Sequence, residues 1–553
     1  MIDAGNNSGV AITDQRSLPR SLDGDGDGTV TVDIGAVEYF DPSAFVVNSF
    51  ADTVDANVGD GVAQDALGNT SLRAAIMEAN ADALADTIIV PAGTFKLTRM
   101  GIDEDFAATG DLDVTEHLTI IGTGAGSTII DADTIDRVFE VTTYQRTLNI
   151  EGLTITGGET TGNGGAIRTE GHLNVKDVEI ANNTSALVGG GIFAAVNGYV
   201  ATDDSTISNN TAGNGGGIYI SNGGLEVAAT TFDGNSATQN NGGGIYYSNG
   251  IATIETSTFS NNVASVGNGG GIYVSQGDVT ISTSTFSANT ADRGGGLHNN
   301  DADVSLAFVT VTDNAATTKG GGFNNLLRTP AVANSIIAKN MSANGPDVAG
   351  AFASAGHNLI GDVGLATGFD SGQGDLLGDS SGTGVINPLL GPLADNGGPT
   401  LTHAISANSS PAVDAGDGTL APEFDQRGVV RMLDGDNDDS ATVDIGAVEF
   451  IDGFLVDSTL DTVDANPGDG LAADADGNAT LRAAIMESNA LGTAKTIVLP
   501  KGNYRLTLFG NGDNANLNGD LDITGDITLI GIDAATTVID ATGNADRVFD
   551  VLP

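Results

Sequence analysis

The sequence predicts an all-β parallel β-helix, and three observations carry that prediction. A glycine-rich block recurs, its following apolar residue at Ile167, Ile192, Ile218, Ile245, Ile272, Leu297 and Phe323, in steps of 25, 26, 27, 27, 25 and 26 residues. A second block, an apolar residue with Asn three places later, interleaves with it at Ile207/Asn210, Phe232/Asn235, Phe259/Asn262, Phe286/Asn289, Val311/Asn314 and Ile337/Asn340. Within one period, Ile218-Tyr219-Ile220, Leu225-Glu226-Val227 and Thr230-Thr231-Phe232 alternate as strands do. Three such strands bury nothing alone. Stacked as coils about 4.8 Å apart, they pair in parallel with their copies, and the Ile, Leu, Val and Phe positions become internal ladders. Asn at one corner suits the left-handed or bridge conformation of a tight turn, with its side chain bonding the next coil. No segment has the long 3.6-residue pattern of a helical solenoid.

The GGA/GI and FxxN blocks between Gly164 and Asn340 resemble the polymorphic outer membrane protein repeats among right-handed parallel β-helix proteins. Most repeats here carry a third Gly where that family often has Ala; Ala166 keeps it. The resemblance implies a right-handed coil and a surface protein of bacterial type.

The ends of the chain repeat each other. Asp3-Ala4-Gly5, Asp14-Gln15-Arg16 and Asp33 to Glu38 return 411 residues later at Asp414, Asp425 and Asp444. From Asp52 the offset becomes 409, with Asp52 to Asn57 matching Asp461 to Asn466 and Leu72 to Glu78 matching Leu481 to Glu487. The chain therefore reads as a window on a longer tandem array. Residues 1–42 are the tail of one unit, and 43–109 form an N-terminal cap. Residues 110–344 are the β-helix, 345–450 a turn-rich C-terminal module, and 451–553 the start of the next unit. Signal and anchor are expected outside this window.

In the cap, Phe45 to Asn48 is a strand, and Thr70 is the expected N-cap of a short capping helix. Leu72, Ala75, Ile76 and Ala79 form its single apolar stripe, placed to cover the open end of the solenoid core. Thr70 to Ala75 resembles the CSLREA-type N-terminal domain of secreted bacterial β-helix proteins, with Thr70 in place of Cys and Ala74 in place of Glu. Arg73, repeated as Arg482, is read as a structural arginine bonding carbonyls rather than as a catalytic cation. The turn-dense stretch Asn387 to Glu449 resembles the C-terminal module that choice-of-anchor β-helix proteins carry, which implies a surface-directed protein.

Composition bounds the function. Twenty Lys and Arg against 72 Asp and Glu give a formal charge of −52. Phosphate neutralisation, and with it nucleic acid binding, is excluded on that balance, as is attraction to anionic lipid. Such a surface attracts divalent cations instead. Cysteine is absent and His numbers five without a paired spacing, which argues against a transition-metal site. No apolar run is long enough to span a membrane.

Two stretches stand out as candidate sites. Asp23, Asp25 and Asp27, echoed by Asp434, Asp436 and Asp438, place carboxylates at alternate positions of a glycine-permissive loop. That pattern suits calcium, with Asp33 and Asp444 as further ligands from the eleventh position. The residues after the inward apolar ones, Phe193, Tyr219, Tyr246, Tyr273 and His298, form an outward column, read as an exposed face for a glycan or a partner's apolar groups. Enzymatic signals are poor. Asp177, Asp203, Asp233, Asp278, Asp301 and Asp303 occupy different coil positions, and Asp292, Arg293, His298 and Asp301 read as turn charges. The expected function is an adhesin-like or structural rod, extracellular or at the cell surface, with surface glycans or surface proteins as partners. The alternative is a polysaccharide lyase or glycoside hydrolase of the β-helix type.

Overall fold

Each period folds as one coil because its apolar residues, at alternate places on three short strands, can be buried only between stacked copies. The coils are seen in a computed structural model that describes every residue except 1, 6, 8–10, 21, 23–29, 42, 102–103, 437, 439, 511–513, 545 and 553. The chain forms two compact units, Met1–Ile386 and Asn387–Pro553.

Four parallel ladders build the first unit, one of them a separate sheet from Glu159–Thr160 to Met341–Ser342. The strands after the glycine block pair in register from Leu112–Val114 through Ile167–Thr169 and Ile245–Tyr247 to Val348–Ala349. A second ladder starts at Phe45–Val46 and Asp86–Ile89 and reaches Ala353–Gly356. The third runs from Gly93–Lys96 to Leu376–Leu377, so pairing continues beyond Asn340. Inside, Ile192, Ile218, Ile245 and Ile272 stack fully buried in one continuous core. Phe232, Phe259 and Phe286 stack with ring centroids 4.7 Å apart and planes within 6°.

The glycine block is needed for two separate reasons. Gly215 has φ +58°, a left-handed conformation. Gly216 allows close approach, since a Cβ there would lie 2.5 Å from the Gly243 carbonyl oxygen of the next coil.

The asparagine corner works differently from the expectation. The left-handed residue is the one before the repeated Asn: Asn209, Asn261, Ala288 and Asp313 have φ between 54° and 58°. The repeated Asn itself is buried and builds a hydrogen-bond ladder. Asn235 donates its backbone N–H and its Nδ2 to Asn262 Oδ1 (both 3.0 Å), and Asn262 donates the same pair to Asn289 Oδ1 (both 3.0 Å). A buried amide must have its donors and acceptors met, and stacking identical amides meets them coil after coil. The ladder ends on Asp347, whose Oδ1 accepts from Asn340 N and Nδ2 at 2.8 and 2.9 Å. Burial pushes that carboxyl up to about 6, while the Asn340 donors pull the other way.

The capping helix α1 spans Leu72–Ala79, and its N-cap is Ser71 rather than Thr70. Ser71 has extended backbone, and its Oγ accepts the Ala74 amide at 3.0 Å, closing the first turn. Leu72, Ala75, Ile76 and Ala79 join the solenoid core. Arg73 is fully buried and holds Asp52 (Nε to Oδ1, 2.5 Å) and the carbonyls of Ala107, Gly110 and Asp111 at 2.8, 2.8 and 3.0 Å. That is the carbonyl-bonding role expected of it.

The second unit repeats this opening. Helix α2, Leu481–Leu491, is capped by Thr480, and Arg482 binds Asp461 and the carbonyls of Gly519 and Asp520 in the same pattern. Before it lie an antiparallel pair, Leu390–Ala394 with Thr402–Ile405, and a turn in which Asp425 accepts the Arg427 and Val429 amides. Asp14 accepts the Arg16 and Leu18 amides likewise in the first unit.

Candidate functional site

Parity sends the residue after each inward Ile to the outer face of the first ladder, and register stacks these residues. The column runs Asp113, Glu140, Arg168, Phe193, Tyr219, Tyr246, Tyr273, His298 and Asn324. Its aromatic part is not the exposed face expected from alternation. Ring centroids of successive members lie 5.9, 4.5, 4.9 and 5.3 Å apart from Phe193 to His298, each pair stacked. Phe193, Tyr273 and His298 are buried, and Tyr219 and Tyr246 are half-buried. Ring faces cover one another because a coil rise of about 4.8 Å is close to stacking distance, so edges rather than faces meet solvent. Tyr246→Ser should therefore cost about 2–4 kcal/mol in stability, readable as a lower urea midpoint with the fold retained at low denaturant.

His298 closes the row. Asn324 Nδ2 donates to its Nδ1 at 2.9 Å, leaving the neutral ring's proton on Nε2. Burial, aided by the Arg293 charge, lowers its pKa to about 4. The unfolded ring titrates near 6.5, so on acidification the unfolded chain takes up the proton first. Stability from the neutral ring is complete above about pH 6.5 and is lost as pH falls toward 4, by up to about 3 kcal/mol. His298→Asn should flatten the pH dependence of urea unfolding in that window.

Four of the acidic residues singled out are bonded to other partners. Asp301 and Asp303 hold Arg328 at the surface (3.1 and 2.9 Å), and Asp292 accepts Thr317 Oγ1 at 2.7 Å. Asp233 accepts Ser260 Oγ and Asn261 Nδ2 at 2.6 and 2.8 Å. Asp177 turns a corner with φ 50°.

A different constellation, of which the sequence singled out only Asp203, sits on the second ladder. Glu151, Lys176 and Asp203 are register partners on three successive coils, an acid, a base and an acid in one line. They edge a groove of about 420 Å³ whose floor includes Asn149 and Asn174. Asn174 Nδ2 donates to Asn149 Oδ1 at 2.8 Å, and Asn149 Nδ2 to Thr119 Oγ1 at 3.1 Å, so the floor amides are fixed. Burial raises the Glu151 pKa, and the Lys176 charge opposes that rise. The findable signal was their spacing, 25 and 27 residues, which is the period of the glycine block itself.

Of the calcium candidates, Asp23, Asp25 and Asp27 lie outside the described residues. Asp434 and Asp436 converge with Asp414, one carboxylate oxygen of each within 4.8 Å of the others. Asp414 Oδ2 accepts the Gly435 and Asp436 amides at 2.9 Å, shaping the loop around itself. Asp438 is exposed, and its amide donates to Asp434 and Asp436 Oδ1 at 3.1 Å. Asp444 is buried beside Asp414 as a backbone hub, accepting the Asp414 amide at 2.7 Å and the Phe450 amide at 2.5 Å. Asp33 does the same for Asp3 and Tyr39 at 2.8 and 2.6 Å, and groups with Asp3 and Glu38. Both eleventh-position aspartates thus accept backbone amides through both carboxylate oxygens.

No helix among the described residues is long and apolar enough to cross a membrane. No curated protein and no solved structure matches the chain. The family described as "Right handed beta helix region" matches residues 163–340. That match falls on the stacked coils described above, and with the parallel ladders it gives the first unit the fold of a right-handed parallel β-helix.

Proposed function

We propose that the chain is a segment of a repeating extracellular or cell-surface protein whose β-helix acts as an adhesin-like or structural rod, meeting surface glycans or other surface proteins. The observation that carries this reading is the recurrence of a whole cap in one chain. Arg73 and Arg482 make the same buried contacts, as do Glu78 with the Gly59 and Gly61 amides and Glu487 with those of Gly468 and Gly470. Repetition of a scaffold multiplies length and presentation; a single active site gains nothing from it. Beads coated with the chain should adhere to cells or immobilised surface glycans, while the soluble chain leaves polysaccharides intact. Release of reducing ends or unsaturated products would overturn the rod reading.

Calcium belongs to this reading at Asp414, Asp434 and Asp436, as a clamp on the turn-rich segment. Calcium should raise the unfolding midpoint of the second unit, and D434N/D436N/D438N should make that rise smaller. A rise unchanged by the substitution leaves only a solvated acidic turn.

A second reading rests on the Glu151–Lys176–Asp203 line. A carboxylate beside an ammonium on adjacent coils is the pairing that β-elimination or glycoside hydrolysis of an acidic or neutral polysaccharide needs. If the groove acts on glycans, K176A and E151Q each abolish turnover with melting unchanged. Turnover equal to wild type in both variants would discard the groove as its seat.

A further inference from the structure

The structure holds a further acidic group, at the start of the outer column and on the far side of the solenoid wall from the core. Asp111, Asp113 and Glu140 are all buried, and one carboxylate oxygen of each lies within 4.8 Å of the others. Their neutralisation is incomplete. Arg137 Nη1 reaches Asp111 at 2.8 Å and Glu140 at 2.5 Å, and Arg168 is divided between Glu140 and Glu170. Asp113 gives Oδ2 to the Ala107 amide at 2.9 Å, and its Oδ1 is buried with no hydrogen-bond partner. Three carboxylates against one whole and one shared guanidinium leave at least one negative charge in a dry place, which must be met by a proton or a cation.

We infer that this group binds a divalent cation, of the calcium class, beneath the cap of each unit. Oxygens on opposite sides of a calcium ion, each at 2.3–2.6 Å, are about 5 Å apart, which the observed convergence fits. Hard carboxylate oxygens without His or Cys favour calcium or magnesium over zinc or copper. The group recurs in the next unit as Asp520, Asp522 and Asp550, with Arg547 in the place of Arg137. What the ion would secure is the cap. Asn80, at the C-terminal end of α1, donates Nδ2 to the Asp113 carbonyl at 2.7 Å, while Arg73 from its first turn holds the Asp111 carbonyl. Asn489 and Arg482 repeat both contacts on Asp522 and Asp520. Both ends of each capping helix thus hang on the strand that carries the acids. The inference is independent of whether the rod binds cells or glycans.

The competing state is a proton shared between Asp111 and Asp113, and titration separates the two. CaCl2 is titrated calorimetrically into the chelator-treated full chain carrying D434N/D436N/D438N, so that the turn-rich loop is silent. Saturable binding is expected, reduced by D113N and reduced again when D522N is added. An absence of binding, or binding unchanged by both substitutions, overturns the inference in favour of the shared proton. Should D113N fail to fold, hydrogen exchange of the unsubstituted chain decides. Amides from Ala107 to Val114 must exchange more slowly with calcium than with EDTA, and equal rates overturn it.

Discussion

Ile245→Asp is expected to abolish cooperative folding of the central coils, at a cost of about 4 kcal/mol or more. Ile245 is fully buried between its register partners Ile218 and Ile272. The new acid would stay protonated and still lose the packing of the isoleucine. Because each coil contacts only its neighbours, the damage should be centred on residues 218–272 and fade outward. Native-state hydrogen exchange reads this directly. Ile245→Val, which removes one methylene, should cost only about 1 kcal/mol. Equal protection in wild type and the Asp variant would mean that Ile245 does not face inward.

Arg73→Ala should cost about 3–5 kcal/mol in urea unfolding of the first unit. It strips the partner from Asp52 and leaves the carbonyls of Ala107, Gly110 and Asp111 without their donor. Asp52 keeps the Thr98 and Arg99 amides at 2.6 and 2.9 Å, which holds the loss within that range. Lysine should not rescue it, because one ammonium cannot reproduce a guanidinium fork that serves a carboxylate and three carbonyls. Arg482→Ala should produce the same loss in the second unit, and a small effect in either would remove the arginine from the cap's framework.

What was legible in the sequence was whatever repeats at the coil period. Ile218, Ile245 and Ile272 announce an inward ladder because burial tolerates only apolar residues there, and the spacing sets the register. The Asn column was legible as a corner, but its ladder of side-chain amides was not, since a period shows that residues stack without showing which atoms bond. Parity placed Tyr219 and Tyr246 outside correctly, yet outside did not mean exposed, because stacked rings screen each other. Thr70 and Ser71 are both good caps, and only backbone geometry separates them. Glu151 and Lys176 escaped notice, and Asp203 was not joined to them, because unlike residues in one column carry no visible motif. The Asp111–Asp113–Glu140 group escaped it because its members lie on two coils and are brought together by folding.

The central claim, coils of about 27 residues paired in parallel and in register, can be tested by cross-linking, since the chain contains no cysteine to interfere. Thr253 and Thr280 are exposed register partners on adjacent coils, and Glu226 stands one further coil away, opposite Thr253. Neighbouring positions about 4.8 Å apart lie within disulfide reach, whereas positions two coils apart, at about 9.6 Å, do not. Oxidation of T253C/T280C should give the intramolecular disulfide in full, and E226C/T280C under the same conditions should give none. Cross-linking of the second pair in preference to the first would contradict the register and, with it, the β-helix drawn from this sequence.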